Sequence, residues 1–177
     1  MFLIDKVKNW IKGHDGLAAM ESAFIFPVMM TMLFGVVDVG TSVMVNTKVL
    51  SATQIASDLI TRESVITEDD ITEARRAAEA ALIPYFDASD FGIDIAGILF
   101  VDEEATAEEQ WRRTFNMSAN TAAVSTANGL GIQGEGVVIV TVQYTYTPRF
   151  GEFVTGDIVM REVSFVKGRD EPYVDLQ

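Results

Sequence analysis

A single carboxylate, Glu21, stands five residues after Gly16, where a short basic segment gives way to a long apolar run. An ionisable group at the edge of hydrocarbon, or inside it, costs several kcal/mol unless it has a partner or a task. Glu21 is therefore the first functional candidate; the plain alternative is a charge solvated by headgroups that only marks the membrane interface. The next carboxylate, Asp38, lies 17 residues further on, roughly 25 Å along a helix. It either reaches the opposite interface or pairs with another group.

Other chemistry is scarce. The lone histidine, His14, precedes Gly16, and there is no cysteine. Beyond Gly16 no Ser-His pair, histidine metal site or thiolate site can be assembled. Asp102-Glu103-Glu104 and Glu108-Glu109 could in principle form a paired-carboxylate site, but they read more simply as solvated acidic loops. They also lack the regular ligand spacing and internal glycine of a calcium loop. Gly129, Gly131, Gly134 and Gly136 precede a strand rather than a helix, so they turn the backbone and do not cradle phosphate. No cofactor, no metal and no enzymatic activity is expected. The net charge of −13 argues against nucleic acid as a partner.

The apolar run sets where these groups sit. Residues 1–15 carry Lys6, Lys8 and Lys12 against Asp5 and Asp15, and between Glu21 and Lys48 the only charge is Asp38. Residues 17–45 as a helix span roughly 43 Å, more than the ~30 Å of a hydrocarbon core. One tilted transmembrane helix is expected, with the basic flank in the cytoplasm and the remainder exported. In a secretory signal the cleavage site follows the apolar segment. Here the plausible site, Gly16, precedes it, so cutting there keeps the helix. Pro27 falls inside this segment and is read as a kink, because freed carbonyls can find other donors within a membrane. Gly35 and Gly40 offer places for close helix approach.

A basic leader, a glycine, a glutamate five residues on and then an apolar helix resemble the N-terminus of type IV prepilins and pseudopilins. More narrowly, residues 16–50, GLAAMESAFIFPVMMTMLFGVVDVGTSVMVNTKVL, are similar to the TadE-like pseudopilins of tight-adherence pilus systems. Glu21, Pro27, Phe34-Gly35 and Asp38 match that pattern residue by residue, whereas Ser22 stands where the family often has an aromatic residue. A weaker echo lies in GEGVVIVTVQYTYTP, residues 134–148. The resemblance implies cleavage between Gly16 and Leu17 by a membrane-embedded prepilin peptidase, with the chain as substrate. It also implies a second role for Glu21, as counter-charge to the new α-amino group of Leu17 on a neighbouring subunit. Pro27, Gly35 and Asp38 would join Glu21 in helix contacts with other pilins or pseudopilins and the inner-membrane assembly platform.

The rest of the chain suffices for one modest domain. The first helix is expected to continue over 45–62 with a stripe of Val49, Ala52, Ile55, Ala56, Leu59 and Ile60. A second opens at Thr67, with Glu68, Asp69 and Asp70 in its first turn, and runs toward Pro84. Strands are expected over 91–101, with Phe91, Ile93, Ile95, Leu99 and Val101 on one side; over 137–147, with Val138, Val140, Val142, Tyr144 and Tyr146 on one side; and over 158–166, with Val159, Val163 and Phe165 on one side. Residues 107–115 read as a strand in preference to a short helix, and 116–136 as a long loop.

The expected organisation is a leader at 1–16, a transmembrane helix at 17–45, an exported pilin-like α+β domain at 46–167 with helices packed on a small antiparallel sheet, and a flexible tail at 168–177. The function implied is that of a non-catalytic minor pseudopilin, single-pass in the inner membrane with a periplasmic domain, acting in pilus assembly or priming or entering the extracellular filament. Two alternatives stay open: an uncleaved, signal-anchored binding or scaffold module, and a tethered hydrolase using the acid clusters.

Overall fold

The computed structural model describes residues 15–168 and 173–177. The basic leader with His14 lies outside the described residues, apart from Asp15 and Gly16. Helix α1, Asp15–Ile60, runs unbroken through Pro27. From Ala19 to Val37 every side chain is exposed except the half-buried Met30, and most are apolar. Further along, Val45, Val49, Ala52, Ala56 and Ile60 are fully buried, a stripe at three- and four-residue spacing. Ile55, expected in that stripe, is 42% exposed, because it follows Ala52 and precedes Ala56 off the sheet-facing line. Thr53, Ser57 and Thr61 are also buried, and each hydroxyl donates to the carbonyl four residues back. Small polar side chains satisfied in this way can enter a core without an orphaned group.

A two-residue strand β1, Val65–Ile66, leads to helix α2, Glu68–Ala81. Thr67 caps α2 through a reciprocal box: its hydroxyl accepts from Asp70 N at 3.4 Å, and its own N–H donates to Asp70 Oδ2 at 2.7 Å. Ile71, Ala74 and Ala78 turn inward. Strands β2, Phe91–Phe100, β3, Ala107–Phe115, β4, Gly136–Tyr146, and β5, Ile158–Val166, form a sheet in the order β3-β2-β4-β5. Every neighbouring pair in it is antiparallel. Two short helices, α3, Thr121–Thr126, and α4, Glu152–Thr155, lie in the connections flanking β4. The architecture is α+β: a long N-terminal helix, a second helix and a four-stranded antiparallel sheet.

Helices α1 and α2 cover one face of the sheet. Phe91, Ile93 and Ile95 from β2 and Val138, Val140, Val142, Tyr144 and Tyr146 from β4 meet the α1 stripe in the main core. Two links tie α2 to β3: the Arg113 guanidinium donates to Glu68, and Arg75 lies 4.4 Å from the centroid of the Phe115 ring.

The opposite face departs from expectation. Ile98, Phe100, Val137 and Ile139, on the other parity of their strands, join Ala105, Ala123 and Ala127 in a second core. Segment 116–136, expected as a long loop, is the cover for that face. Its small residues are what the packing requires: a Cβ on Gly131 would come within 2.2 Å of the Phe100 ring. Val159 and Val163 of β5 share a side, as expected, but it is the half-open second face. Ile158 and Met160 instead point to the main core.

The C-terminal end also differs. Residues 168–177 were expected to be loose, yet Asp175–Leu176 form β6 and pair in parallel with β1. Val174 is buried, and its carbonyl accepts from Trp111 Nε1 at 2.9 Å. Trp111 is brought there by a bulge in the β2–β3 pairing beside Gly97, where a Cβ would lie 2.2 Å from the indole nitrogen.

Candidate functional site: the junction of helix and domain

The sequence-predicted residues Gly16, Leu17, Glu21, Pro27, Gly35 and Asp38 all lie on α1, so their arrangement is first a matter of helix geometry. Gly16 and Leu17 fall in its first turn, where backbone N–H groups have no intrahelical acceptor. Glu21 is exposed among Met20, Phe24 and Ile25, which are themselves exposed, and no partner for it exists among the described residues. At Pro27 the helix loses the amide that would bond the Ala23 carbonyl. The Pro27 carbonyl accepts from the Thr31 hydroxyl at 2.9 Å. Gly35 and Gly40 have no atom within 4 Å of an added Cβ, so neither marks a close approach within the chain.

Asp38 is different. It is 8% exposed, and its Oδ2 accepts from Gly151 N at 2.6 Å and from Phe150 N at 3.1 Å. These amides lie in the turn between β4 and β5, just ahead of α4, whose cap residue Gly151 has no side chain to serve them. A carboxylate placed at such amides forms charge-assisted bonds. One turn earlier on α1, Phe34 stacks on Phe150, with centroids 4.5 Å apart and rings 10° from parallel. Between these two contacts opens an apolar cavity of about 270 Å³ lined by Thr31, Phe34, Gly35, Val39 and Pro148, among others. Asp38 thus pairs with its own chain's loop. That partner escaped sequence reasoning because Asp38 is held by the backbone N–H groups of Phe150 and Gly151, which every non-proline residue carries and which leave no mark in the sequence.

These contacts divide the segment expected to cross the bilayer. Up to Leu33 the helix stands clear of the sheet, whereas from Phe34 it meets the domain and from Val45 it is core. The acid clusters do not converge on a site. The Thr106 side chain first, and then the Thr106 N–H, which donates to Asp102 at 2.8 Å, hold the Asp102 carboxyl below the ordinary range. Glu103 and Glu104 are exposed, and Glu109 pairs with Arg112 at 3.2 Å. No group of three or more Asp, Glu, His or Cys suited to a metal occurs among the described residues.

The family model described as TadE-like protein matches residues 16–58, a stretch that begins at Gly16 and ends within α1. Over that stretch the chain is similar to TadE-like proteins. Glu21, Pro27, Gly35 and Asp38 all fall inside the match. So do the exposed apolar part of α1 and most of its buried stripe. The TadE-like match ties the chain to the tight-adherence pilus system and to assembly with other pilus components. Comparison with curated proteins and with solved structures gave no match. The sheet and its covering segment therefore stand on their own geometry.

Proposed function

We propose that the chain is a minor pseudopilin of a tight-adherence pilus. In this reading a prepilin peptidase cleaves it between Gly16 and Leu17, and it then acts without catalysis in assembling or priming the filament. The observation that carries this reading is the TadE-like match opening at Gly16, directly before an apolar helix whose side chains are exposed from Ala19 to Val37 apart from Met30. Such a surface calls for lipid or for other helices. The leader stays cytoplasmic and the α+β domain is periplasmic, following the basic flank. Unwinding the first turn of α1 to present an extended Gly16–Leu17 bond breaks few hydrogen bonds. After cleavage, Glu21 serves as the counter-charge for the Leu17 amine of a neighbouring subunit, offsetting the cost of a carboxylate in hydrocarbon. Gly35, in the lining of the cavity at the helix–domain junction with nothing within 4 Å of an added Cβ, and the exposed Pro27 are the places where another helix approaches.

The test is the intact mass and N-terminal sequence of the protein from membranes of cells with and without the prepilin peptidase. A start at Leu17 that depends on the peptidase is expected. A start at Met1 in both strains would overturn the reading and favour the uncleaved anchored module.

A further inference from the structure

The exposed stretch of α1 gives the bilayer a level. Leu17 to Leu33 as a helix is roughly 25 Å long, the short end of what crosses a hydrocarbon core. Phe34 and Asp38 already hold the β4–β5 turn. The outer lipid surface therefore falls near Phe34–Asp38, and the underside of the domain, with the turns at 83–90 and 148–151, lies at headgroup depth. Ile83 and Phe150 are exposed there at 60% and 45%, as aromatic and apolar residues of an interfacial belt are.

On this underside, against Val37 and Thr41 of α1, opens a cavity of about 550 Å³. Its wall includes Tyr85, Phe86, Asp87, Asp90, Tyr146 and Arg149. The turn bearing these rings is fixed to the sheet: Tyr144 Oη donates to the Tyr85 carbonyl, and Thr145 N donates to the Asp90 carbonyl at 3.0 Å. Three polar groups on the wall are unmatched. Tyr146 is 8% exposed, and its hydroxyl has no hydrogen-bond partner. Asp90 is half-buried with no cation paired to it, and Arg149 is exposed with no acid paired to it, among the described residues. Burial first, then Asp87 and Asp157, raises the Asp90 carboxyl above the ordinary range, as expected of a carboxylate lacking its counter-charge.

We propose that this cavity binds the headgroup of a zwitterionic phospholipid carrying a primary ammonium, of the phosphatidylethanolamine class. The ammonium sits against Asp90 and Asp87 among the Tyr85 and Phe86 rings, and the phosphate turns to Arg149. An anionic headgroup without an amine brings no cation to the carboxylates. This inference rests on α1 as a membrane anchor and is independent of cleavage at Gly16.

The full chain reconstituted in vesicles of equal phosphatidylethanolamine and phosphatidylglycerol, then extracted gently and analysed by native mass spectrometry, tests it. Enrichment of the amine lipid over bulk by about threefold is expected, the scale of one partly exposed ion pair. Asp90→Asn, which keeps the shape, should return the ratio to bulk while tryptophan emission stays unchanged. Arg149→Gln, which removes the partner of the phosphate that both lipids carry, should lower the lipid retained per protein while the preference for the amine lipid persists. A wild-type ratio equal to bulk, or enrichment untouched by Asp90→Asn, would overturn the site. Failure of the protein to float with vesicles would overturn the anchor and the site together, whatever the N-terminal residue proves to be.

Discussion

Asp38 on the long helix and Gly151 in the β4–β5 turn are 113 residues apart in sequence and meet at 2.6 Å, carboxylate oxygen to backbone N–H. With the Phe34–Phe150 stack, this contact joins the domain to the helix close to the level where the apolar stretch ends. A charge that would be costly in lipid is placed where two otherwise unserved amides need it. The contact sets how far the domain stands above the apolar stretch, and so which residues of α1 remain for lipid or for other helices.

Removing that carboxylate should loosen the turn. Asp38→Ala leaves the Phe150 and Gly151 amides without an acceptor, a loss of about 1–3 kcal/mol for part-buried groups. Hydrogen exchange in detergent should show these amides losing protection while β2 and β4 keep theirs. Asp38→Asn, which retains one oxygen acceptor, should lose less. Equal protection in the wild type and in Asp38→Ala would mean that the ring stack alone holds the turn.

The C-terminal residues act as a clasp on the main core. Trp111 donates to the Val174 carbonyl, Val174 is buried, and β6 pairs with β1. Deleting residues 173–177 should expose the indole, shift tryptophan emission to the red and lower stability by about 2 kcal/mol, from one buried valine and one hydrogen bond. An unshifted emission maximum in the truncated protein would remove the clasp role.

What could be read in advance follows from periodicity. Strand β4 alternates over Val138, Val140, Val142, Tyr144 and Tyr146, and Thr67 with Asp70 marks a helix start; both are local patterns. The second core was less legible. Ala123, Ala127 and Gly131 have the composition of a loop, yet they are the small residues that fit beneath Ile98 and Phe100. The available signal was apolar residues on both parities of β2 and β4, which indicates a strand covered on two sides. Strands β1 and β6, two residues each, are too short for any period. For the site, Glu21 and Asp38 stood out as charges in an apolar run, but the turn that Asp38 binds is set by tertiary packing alone.

The cover of the second face has a polar hinge that can be tested. Asp94 is 3% exposed; it accepts from the Thr114 hydroxyl and from Asn120 N, both at 2.8 Å, and lies 3.4 Å from Arg112. Asp94→Ala leaves Arg112 with Glu109 alone as its carboxylate partner, takes the acceptor from the Thr114 hydroxyl and the Asn120 N–H, and so frees the start of the covering segment, at a cost of about 2 kcal/mol. Limited proteolysis should then cut within 116–136 at protease levels that spare the wild type. If that segment resists cleavage to the same extent in both proteins, apolar packing of Ala123 and Ala127 suffices to hold it.

Asp90 gives the stability a pH signature whose sign can be worked out. Its carboxyl is raised in the folded protein, by burial first and then by Asp87 and Asp157, so the native state holds the proton more tightly than the unfolded chain. Its contribution to stability therefore declines as pH rises from the ordinary carboxylate range, about 4, through its own higher value. Asp70, Asp87 and Asp102 are lowered by hydrogen bonds, and their contributions run the other way, lost only as pH falls below the ordinary range. Tyr144, which lines the same cavity and is raised by burial first and then by Asp90 and Asp87, keeps its proton throughout this window. Asp90→Asn imitates the protonated form, so in a sugar-headgroup detergent it should match the wild type near pH 4 and melt higher near pH 7. Parallel melting curves across that range would show that the Asp90 carboxylate carries no folded-state penalty, and would withdraw one of the reasons for placing an ammonium beside it.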